Sequence, residues 1–493
     1  MKPWPPGNDS PSVDAMNPRM HLRDADAMLG AMRVTRTRSL AIPGLVGLFA
    51  AALVTTLGAM GPAPVAQAHG RFPATGEVAF HPTDPDVILL RTTFGLLATD
   101  DGGGVFRWVC PAAIGARMTE DPHITIAADG GFVVGLFDGL SRGTGGGCDW
   151  DFPSTELTDR VVIDVTRSSD GTLYALTSDG AAPNGVHRSL DEGLSWTATN
   201  DAIDPILFET IRVAPSDPSQ IYLTGAYPPT ADTPRRPFVY HSADGGVTWD
   251  SVAFTDFRAD DRNVYLLGVD PTDSGRIMVR VRGDFTDRVY VSEDSGQTFS
   301  ERISVGDVDA FAWSADGTTV WLGGRTDTGL HRSDDGGETF SVIHADLRVG
   351  CLGLRGSELF VCADNYEDGY ALGRSTDGGA TVTPMLLFAD VPGTVTCSAG
   401  AATPAACEAD LADLIVDLGL GGDAGVPDGG GPGSDGGTED AAADGGDGGT
   451  TTPASTGCAC STAAGSHPGP APGPAVALIL SFVFGLFGRR RRP

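Results

Sequence analysis

The sequence predicts an all-β protein: a seven-bladed β-propeller with four-stranded antiparallel blades, followed by a disordered linker and a C-terminal hydrophobic segment. Three observations predict it. An octapeptide of the form Ser-x-Asp-x-Gly-x-Thr-aromatic recurs through the middle of the chain, with seven starts between Thr99 and Ser375. Ahead of most copies, two short apolar runs are joined by a turn rich in Asp, Gly or Pro. The composition agrees, since 68 Gly and 34 Pro in 493 residues supply turns and disfavour long helices.

Residues 1–68 stand apart from this pattern. Met32-Arg33-Val34-Thr35-Arg36-Thr37-Arg38 is cationic, an apolar run from Leu40 to about Met60 follows, and Ala66-Gln67-Ala68 is a small-x-small cleavage pattern. These are the three parts of a secretory signal. Residues 1–31 add nothing to it, and Met32 is an alternative start. The mature chain is then expected to begin at His69, which by itself makes no metal site.

The propeller is expected over 69–390. Ser242-Ala243-Asp244-Gly245-Gly246-Val247-Thr248-Trp249 is the clearest copy of the repeat, and it recurs from Ser292, Ser333 and Ser189 and more weakly from Ser375 and Thr99. The interval from Thr99 to Ser189 is double the others. Gly143-Thr144-Gly145-Gly146-Gly147-Cys148-Asp149-Trp150 fills it, aligned without a gap on Ser189 to Trp196 but with the Ser and the Asp lost. Starts at 99, 143, 189, 242, 292, 333 and 375 are separated by 44, 46, 53, 50, 41 and 42 residues. Turns such as Ala214-Pro215-Ser216-Asp217-Pro218, with counterparts at His81–Pro85, Ala128–Gly130, Ser169–Gly171, Asp270–Asp273, Ala315–Gly317 and Arg355–Ser357, divide each unit further. Each unit reads as strand, turn, strand, loop, strand, octapeptide, strand, which is one propeller blade.

Within the octapeptide, a carboxylate and hydroxyls can close hydrogen bonds inside a tight turn, Gly supplies positive φ and the aromatic packs on the sheet. Asp101, Asp191, Asp244, Asp294, Asp335 and Asp377 therefore read as structural. The pattern is similar to the Asp box, or BNR repeat, of sialidases, sortilin-type receptors, xyloglucanases and photosystem II assembly factors. That resemblance implies a propeller. It brings no catalytic residue with it, because box-bearing sialidases also carry an F/Y-R-I-P motif, three arginines and a Tyr/Glu nucleophile pair, and Gly70-Arg71-Phe72-Pro73 has the order wrong. A xyloglucanase-like mechanism needs two carboxylates about 5–10 Å apart across a cleft, and no pair stands out in the sequence.

Six cysteines fall in the region expected to fold, none left odd, which suits an oxidising compartment. Counting back from Gly356-Ser357 sets Cys351 opposite Cys362 on adjacent strands. Cys110 and Cys148 are expected to staple blades 1 and 2, and Cys397 and Cys407 to close a loop in a cap over 391–420, where Cys407 to Leu420 also reads as a short helix. No C-x-x-C or Cys/His cluster occurs there, so no metal and no cofactor is expected. His187, His241 and His331 occupy near-equivalent strand positions and read as repeat positions.

Residues 421–456 hold Asp423, Asp428, Asp435, Glu439, Asp440, Asp444 and Asp447 among Gly, Ala, Pro and Thr, with no basic residue. Such a segment cannot bury enough surface to order itself and is expected to be a tether. Residues 457–493 carry Gly457-Cys458-Ala459-Cys460, a Pro/Gly spacer, an apolar run from Ala475 to Gly488, and Arg489 to Arg492. The run is shorter than the roughly 20 residues a bilayer core requires. The tail resembles the MYXO-CTERM sorting signal, which implies cleavage by a sortase-like protease near Cys458, with Cys458 and Cys460 as the motif, and attachment at the cell surface. The alternative is a plain membrane tail anchor.

Charge bounds the partners. The net charge is −31; residues 1–68 hold six basic and four acidic residues and 458–493 four basic and none acidic, leaving 23 basic and 60 acidic between them. With Lys2 the single lysine, no basic stripe exists, and nucleic acid is excluded. The loops expected to surround the channel offer Tyr227, Arg235 and Arg236 in blade 4, Arg282 in blade 5, and Asn365 and Tyr366 in blade 7 as candidate ligand contacts. The expectation is an exported, cell-surface or outer-membrane-associated, non-catalytic module that binds an extracellular glycan or protein. The alternative is a glycoside hydrolase, xyloglucanase-like or sialidase-like, acting on extracellular polysaccharide.

Overall fold

The computed structural model describes residues 71–180, 182–199, 203 and 206–418. Within them, 28 strands, β1 to β28, form seven four-stranded sheets, each an antiparallel meander of consecutive strands. The predicted seven blades are all present, over residues 75–109, 124–151, 162–198, 207–253, 261–305, 310–344 and 351–386. The first strands, β1 (Thr75–Phe80), β5 (Ile124–Ile126), β9 (Val162–Arg167), β13 (Leu207–Val213), β17 (Asp261–Val269), β21 (Ala310–Trp313) and β25 (Cys351–Arg355), stand around a central channel. The signal segment, His69, the tether, the tail and its Cys458 and Cys460 lie outside the described residues. Among the described residues, no helix is long and apolar enough to cross a membrane.

Second strands are apolar at successive positions, as in Ile88-Leu89-Leu90, Phe132-Val133-Val134 and Ile221-Tyr222-Leu223, all fully or almost fully buried. Radial stacking explains this, because both faces of a blade meet a neighbour and an alternating pattern would bury polar groups on one of them. The core is therefore a series of slabs between blades. Leu89 and Leu96 meet Ile124, Phe132 and Val134 between blades 1 and 2, and Tyr174 and Leu176 meet Phe208, Ile211 and Leu223 between blades 3 and 4.

Every blade is built from one contiguous stretch, so no exchanged strand ties the last blade to the first. Val78 and Phe80 of β1 instead press against Gly353 of β25, where a side chain would not fit. The chain then continues past blade 7 and grips the start of the ring from outside. Trp108 of blade 1 donates its N–H to Gly393 O (2.8 Å) and accepts from Val395 N–H (3.0 Å), adding a short parallel segment to the blade. A four-residue helix, α1 (Pro111–Ile114), follows blade 1, and a longer one, α2 (Ala402–Asp417), ends the described chain. Leu414 and Leu418 join Trp108, Phe360 and Phe388 in one cluster.

The disulfides correct the expected pairing. Cys351 and Cys362 are bonded across directly opposed positions. Cys110, however, is bonded to Cys407 and Cys148 to Cys397, so both bonds join the cap to blades 1 and 2. Nearest-neighbour pairing fails here because a closed ring brings the chain's end beside its beginning. The helix also starts at Ala402, five residues before the expected position.

The repeated turns lie on the face opposite the channel mouth. In blade 6, Ser333 Oγ donates to Asp335 Oδ1 (2.6 Å) and accepts from Gly337 N–H (2.7 Å), while Asp335 takes the Thr339 N–H (2.9 Å) and hydroxyl (2.6 Å). The same bonds surround Asp191, Asp244, Asp294 and Asp377, and Asp101 uses Thr99 and the N–H groups of Gly104 and Val105. These donors favour the ionised form. The Thr248 hydroxyl and N–H and the Ser242 hydroxyl hold Asp244 at about 2, and the Thr381 N–H and hydroxyl with the Ser375 hydroxyl do the same for Asp377.

Blade 2 closes its turn by other means. Gly143 and Gly145 stand where the others have Ser and Asp, and the Cys148–Cys397 bond clamps the turn to the cap. Thr403 adds its hydroxyl to Gly147 O (2.8 Å) and its N–H to Cys148 O (3.1 Å), and Ala402 N–H reaches Asp149 (3.0 Å). The start of α2 thus replaces the missing carboxylate.

Candidate functional site

The channel mouth holds a cavity of about 440 Å³ lined from all seven blades. Its shape follows from irregular pairing of the first strands. In β1, β9, β13 and β17 the register with the second strand skips one residue, respectively Gly76, Ile163, Glu209 and Leu267. Each skipped residue lines the cavity. A bulge frees one residue from the ladder and re-aims it, here toward the channel axis. In β17 a second bulge, at Arg262, carries that side chain to Asp284.

A chain of charged groups runs along blades 1 to 4. Arg91 lies 3.4 Å from Asp121 and 3.5 Å from Glu77; His123 Nδ1 lies 3.4 Å from Glu77 and 3.5 Å from Asp164; Arg212 meets Asp164 at 2.8 Å. Asp164 is 1% exposed and also accepts the Ile211 N–H (2.9 Å), which fastens blade 3 to blade 4. Burial in the channel wall opposes the charged imidazole of His123, but the Asp164 and Glu77 carboxylates prevail and raise its pKa. For Glu77, burial is outweighed by His123 and Arg91, and its pKa is lowered.

A second chain runs along blades 4 to 6 and back to blade 1. Arg235 bonds Asn263 Oδ1, whose amide donates to the Tyr265 hydroxyl (3.0 Å). Arg280 stacks 4.8 Å over the Tyr265 ring and lies 3.7 Å from Asp309, and Arg325 pairs with Asp309 at 2.9 Å. Arg325 then crosses blade 7 to donate to Thr75 O of blade 1 (2.6 Å). Gly350 makes that crossing possible, since a Cβ there would lie 2.4 Å from the guanidinium.

Glu209 lies at the junction of the two chains. Its side chain is 16% exposed, Arg235 is 3.8 Å away, and no hydrogen bond reaches its carboxyl among the described residues. Burial pushes this carboxyl up to about 7 against the pull of Arg235.

Of the residues singled out from sequence, Arg235 belongs to this site. Arg236 stacks 5.1 Å over Tyr227 on the adjoining blade 4 rim, and Arg282 is exposed, opposite Asn263 in register. Asn365 and Tyr366 are used in closing the ring: Asn365 Oδ1 accepts the Phe388 N–H (2.9 Å), and Tyr366 packs on Phe72 and Phe388. Sequence reasoning missed Glu77, Arg91, His123, Asp164, Glu209, Arg212, Tyr265, Arg280, Asp309 and Arg325. The one available signal was polar residues interrupting otherwise apolar strands, as in Val-Ile-Asp164-Val and Leu-Phe-Glu209-Thr. Among the described residues, no group of His, Cys, Asp and Glu is arranged to hold a metal ion.

No family model matches the chain, and no curated protein matches it. Solved structures do align with it. Hydrazine synthase of Kuenenia stuttgartiensis is 10% identical over 64% of this chain and 99% of that one, with a TM-score of 0.48. A GH74 enzyme of Niastella koreensis is 14% identical over 64% of this chain and 72% of that one, TM-score 0.29. YCF48 from Cyanidioschyzon merolae is 17% identical over 59% and 93%, TM-score 0.40. At these identities and TM-scores, none of them says what this chain binds or does.

Proposed function

We propose that the chain is an exported, non-catalytic binding or scaffold propeller, with Asp-box turns on one face and a ligand site at the channel mouth on the other. On this reading, the MYXO-CTERM-like tail is processed by a sortase-like protease and, with the tether, displays the domain at the cell surface. The three disulfides are compatible with an oxidising exterior. The observation that carries the reading is the ring of partnered groups around a cavity large enough for a small ligand. A ring so tied is rigid and fixed in geometry, which favours recognition.

Glycan arrays and capture of defined extracellular proteins with the full-length chain test this, with Arg212→Ala as the channel control. A negative in both would sink it.

One observation favours hydrolysis as a second reading: Glu77 and Glu209 line one cavity with pKa values displaced in opposite directions, as an acid/base pair requires. Binding is preferred because Glu77 is engaged by His123, Arg91 and the Ile124 N–H (3.3 Å), which leaves no free carboxylate to attack or to activate water. Turnover on a polysaccharide panel, abolished in Glu209→Ala, would establish the hydrolase.

A further inference from the structure

We propose that the channel mouth is a subsite for an uncharged sugar ring, with Glu209 and Tyr265 as its hydrogen-bonding groups and Arg235 and Asn263 holding them from behind. The proposal rests on the binding function above and narrows its ligand.

Every ionic group of the ring already faces an opposite charge: Arg91 faces Glu77 and Asp121, His123 faces Glu77 and Asp164, Arg212 faces Asp164, Arg280 faces Asp287 and Asp309, Arg325 faces Asp309, and Arg235 faces Glu209. A carboxylate, phosphate or amine entering the cavity would break one of these pairs and strand a partly buried charge. Hydroxyl groups need no such break, because they bond to the N–H groups and lone pairs that the ion pairs leave over.

Glu209 fits such a ligand in placement and in protonation. The bulge in β13 takes it off the ladder and into the cavity, and no donor occupies its carboxyl among the described residues. The charge that acts on it is Arg235, 3.8 Å away; Arg212, His123, Tyr265 and Arg280 line the same cavity, and Asp164 lies against His123 and Arg212. With its pKa near 7, this acid keeps its proton in mildly acidic solution and then both donates and accepts, as a sugar hydroxyl does. Between the polar groups the wall is apolar, with Ile163, Leu267 and Phe311 offering faces for the C–H side of a ring.

Calorimetric titration of the full-length chain at pH 6 and pH 8 tests this, with cellobiose, lactose and maltose as neutral probes, glucuronic and N-acetylneuraminic acids as anions and glucosamine as the cation. At least one neutral probe is expected to bind, up to about tenfold more tightly at pH 6, and the charged probes are not. Glu209→Gln, whose amide keeps a donor and an acceptor, is expected to bind with the pH dependence gone, and Glu209→Ala to bind about tenfold more weakly at pH 6. A pH dependence that survives in Glu209→Gln, or a charged probe that outcompetes every neutral one, overturns the proposal. If a charged probe binds and Arg212→Ala abolishes it, the ligand class is wrong while the binding function stands. If no probe binds, the proposal fails, and a negative array and capture would take the binding function with it.

Discussion

Glu209 in the channel and the acids of the turn face are shifted in opposite directions. On the turn face, Asp244 and Asp377 are wrapped in N–H and hydroxyl donors and held at about 2; in the channel, Glu209 lacks donors and is pushed up to about 7. Burial separates them first, since the turn acids are exposed and Glu209 is mostly buried, and hydrogen-bond donors widen the gap, because the tight turn aims several at its acid while Glu209 receives none among the described residues. An excess of acids in the composition therefore says little about function until each acid has been placed.

Blade 2 breaks the pattern of the turn face, and removing its substitute is expected to have the largest effect. Cys148→Ser with Cys397→Ser deletes the clamp from a turn that has no carboxylate to fall back on, and should cost about 4 kcal/mol in oxidising denaturation experiments. A loss below about 1 kcal/mol would mean that Thr403 and the cap helix hold the turn unaided.

Glu209 is expected to show the next largest effect, on the channel side. Its folded pKa of about 7 exceeds the usual 4.5, so the folded chain binds this proton more tightly than the unfolded chain does. The group's contribution is thus fully present at low pH and is lost as pH rises from about 4.5 through about 7. Glu209→Gln should therefore stabilise the protein by about 2 kcal/mol at pH 8 and change little at pH 4, read by chemical denaturation at both pH values. The turn acids have the opposite sign, since their depressed pKa values give stability that is lost only as pH falls from about 3.8 toward 2.

Within the turns, the buried serine is the sensitive point. Ser333→Ala leaves the Gly337 N–H without its acceptor and removes one of the donors to Asp335, and should cost about 1.5 kcal/mol by thermal denaturation. The smallest effect is expected at Ser295, which holds φ +57° where every other turn but that of Glu192 (φ +61°) has glycine. Ser295→Gly should relieve that strain and raise stability by about 1 kcal/mol in the same measurement.

The blades were legible because they repeat: the octapeptide recurs with its Ser, Asp, Gly and aromatic in place from Ser189, Ser242, Ser292 and Ser333, and even the degenerate copy at Gly143 aligns by its Trp150. The channel was not, because each blade contributes something different to it. Glu77, His123, Asp164 and Asp309 fall at unlike positions relative to the repeat, and the bulges at Gly76, Ile163 and Glu209 leave no mark in a strand pattern read by alternation. The cap was half legible. Its cysteines and helix are visible in sequence, but their partners are set by ring closure, which brings residues 297 and 249 positions apart into contact.

The opposition between Glu209 and the turn acids is most directly tested by a carbon-13 NMR titration of the glutamate side-chain carboxyls, with Glu209→Gln to assign the resonance. A single glutamate carboxyl titrating near pH 7 and absent from the variant is the predicted result. Glutamates that all titrate below about pH 5, with nothing lost from the upper range in the variant, would contradict it.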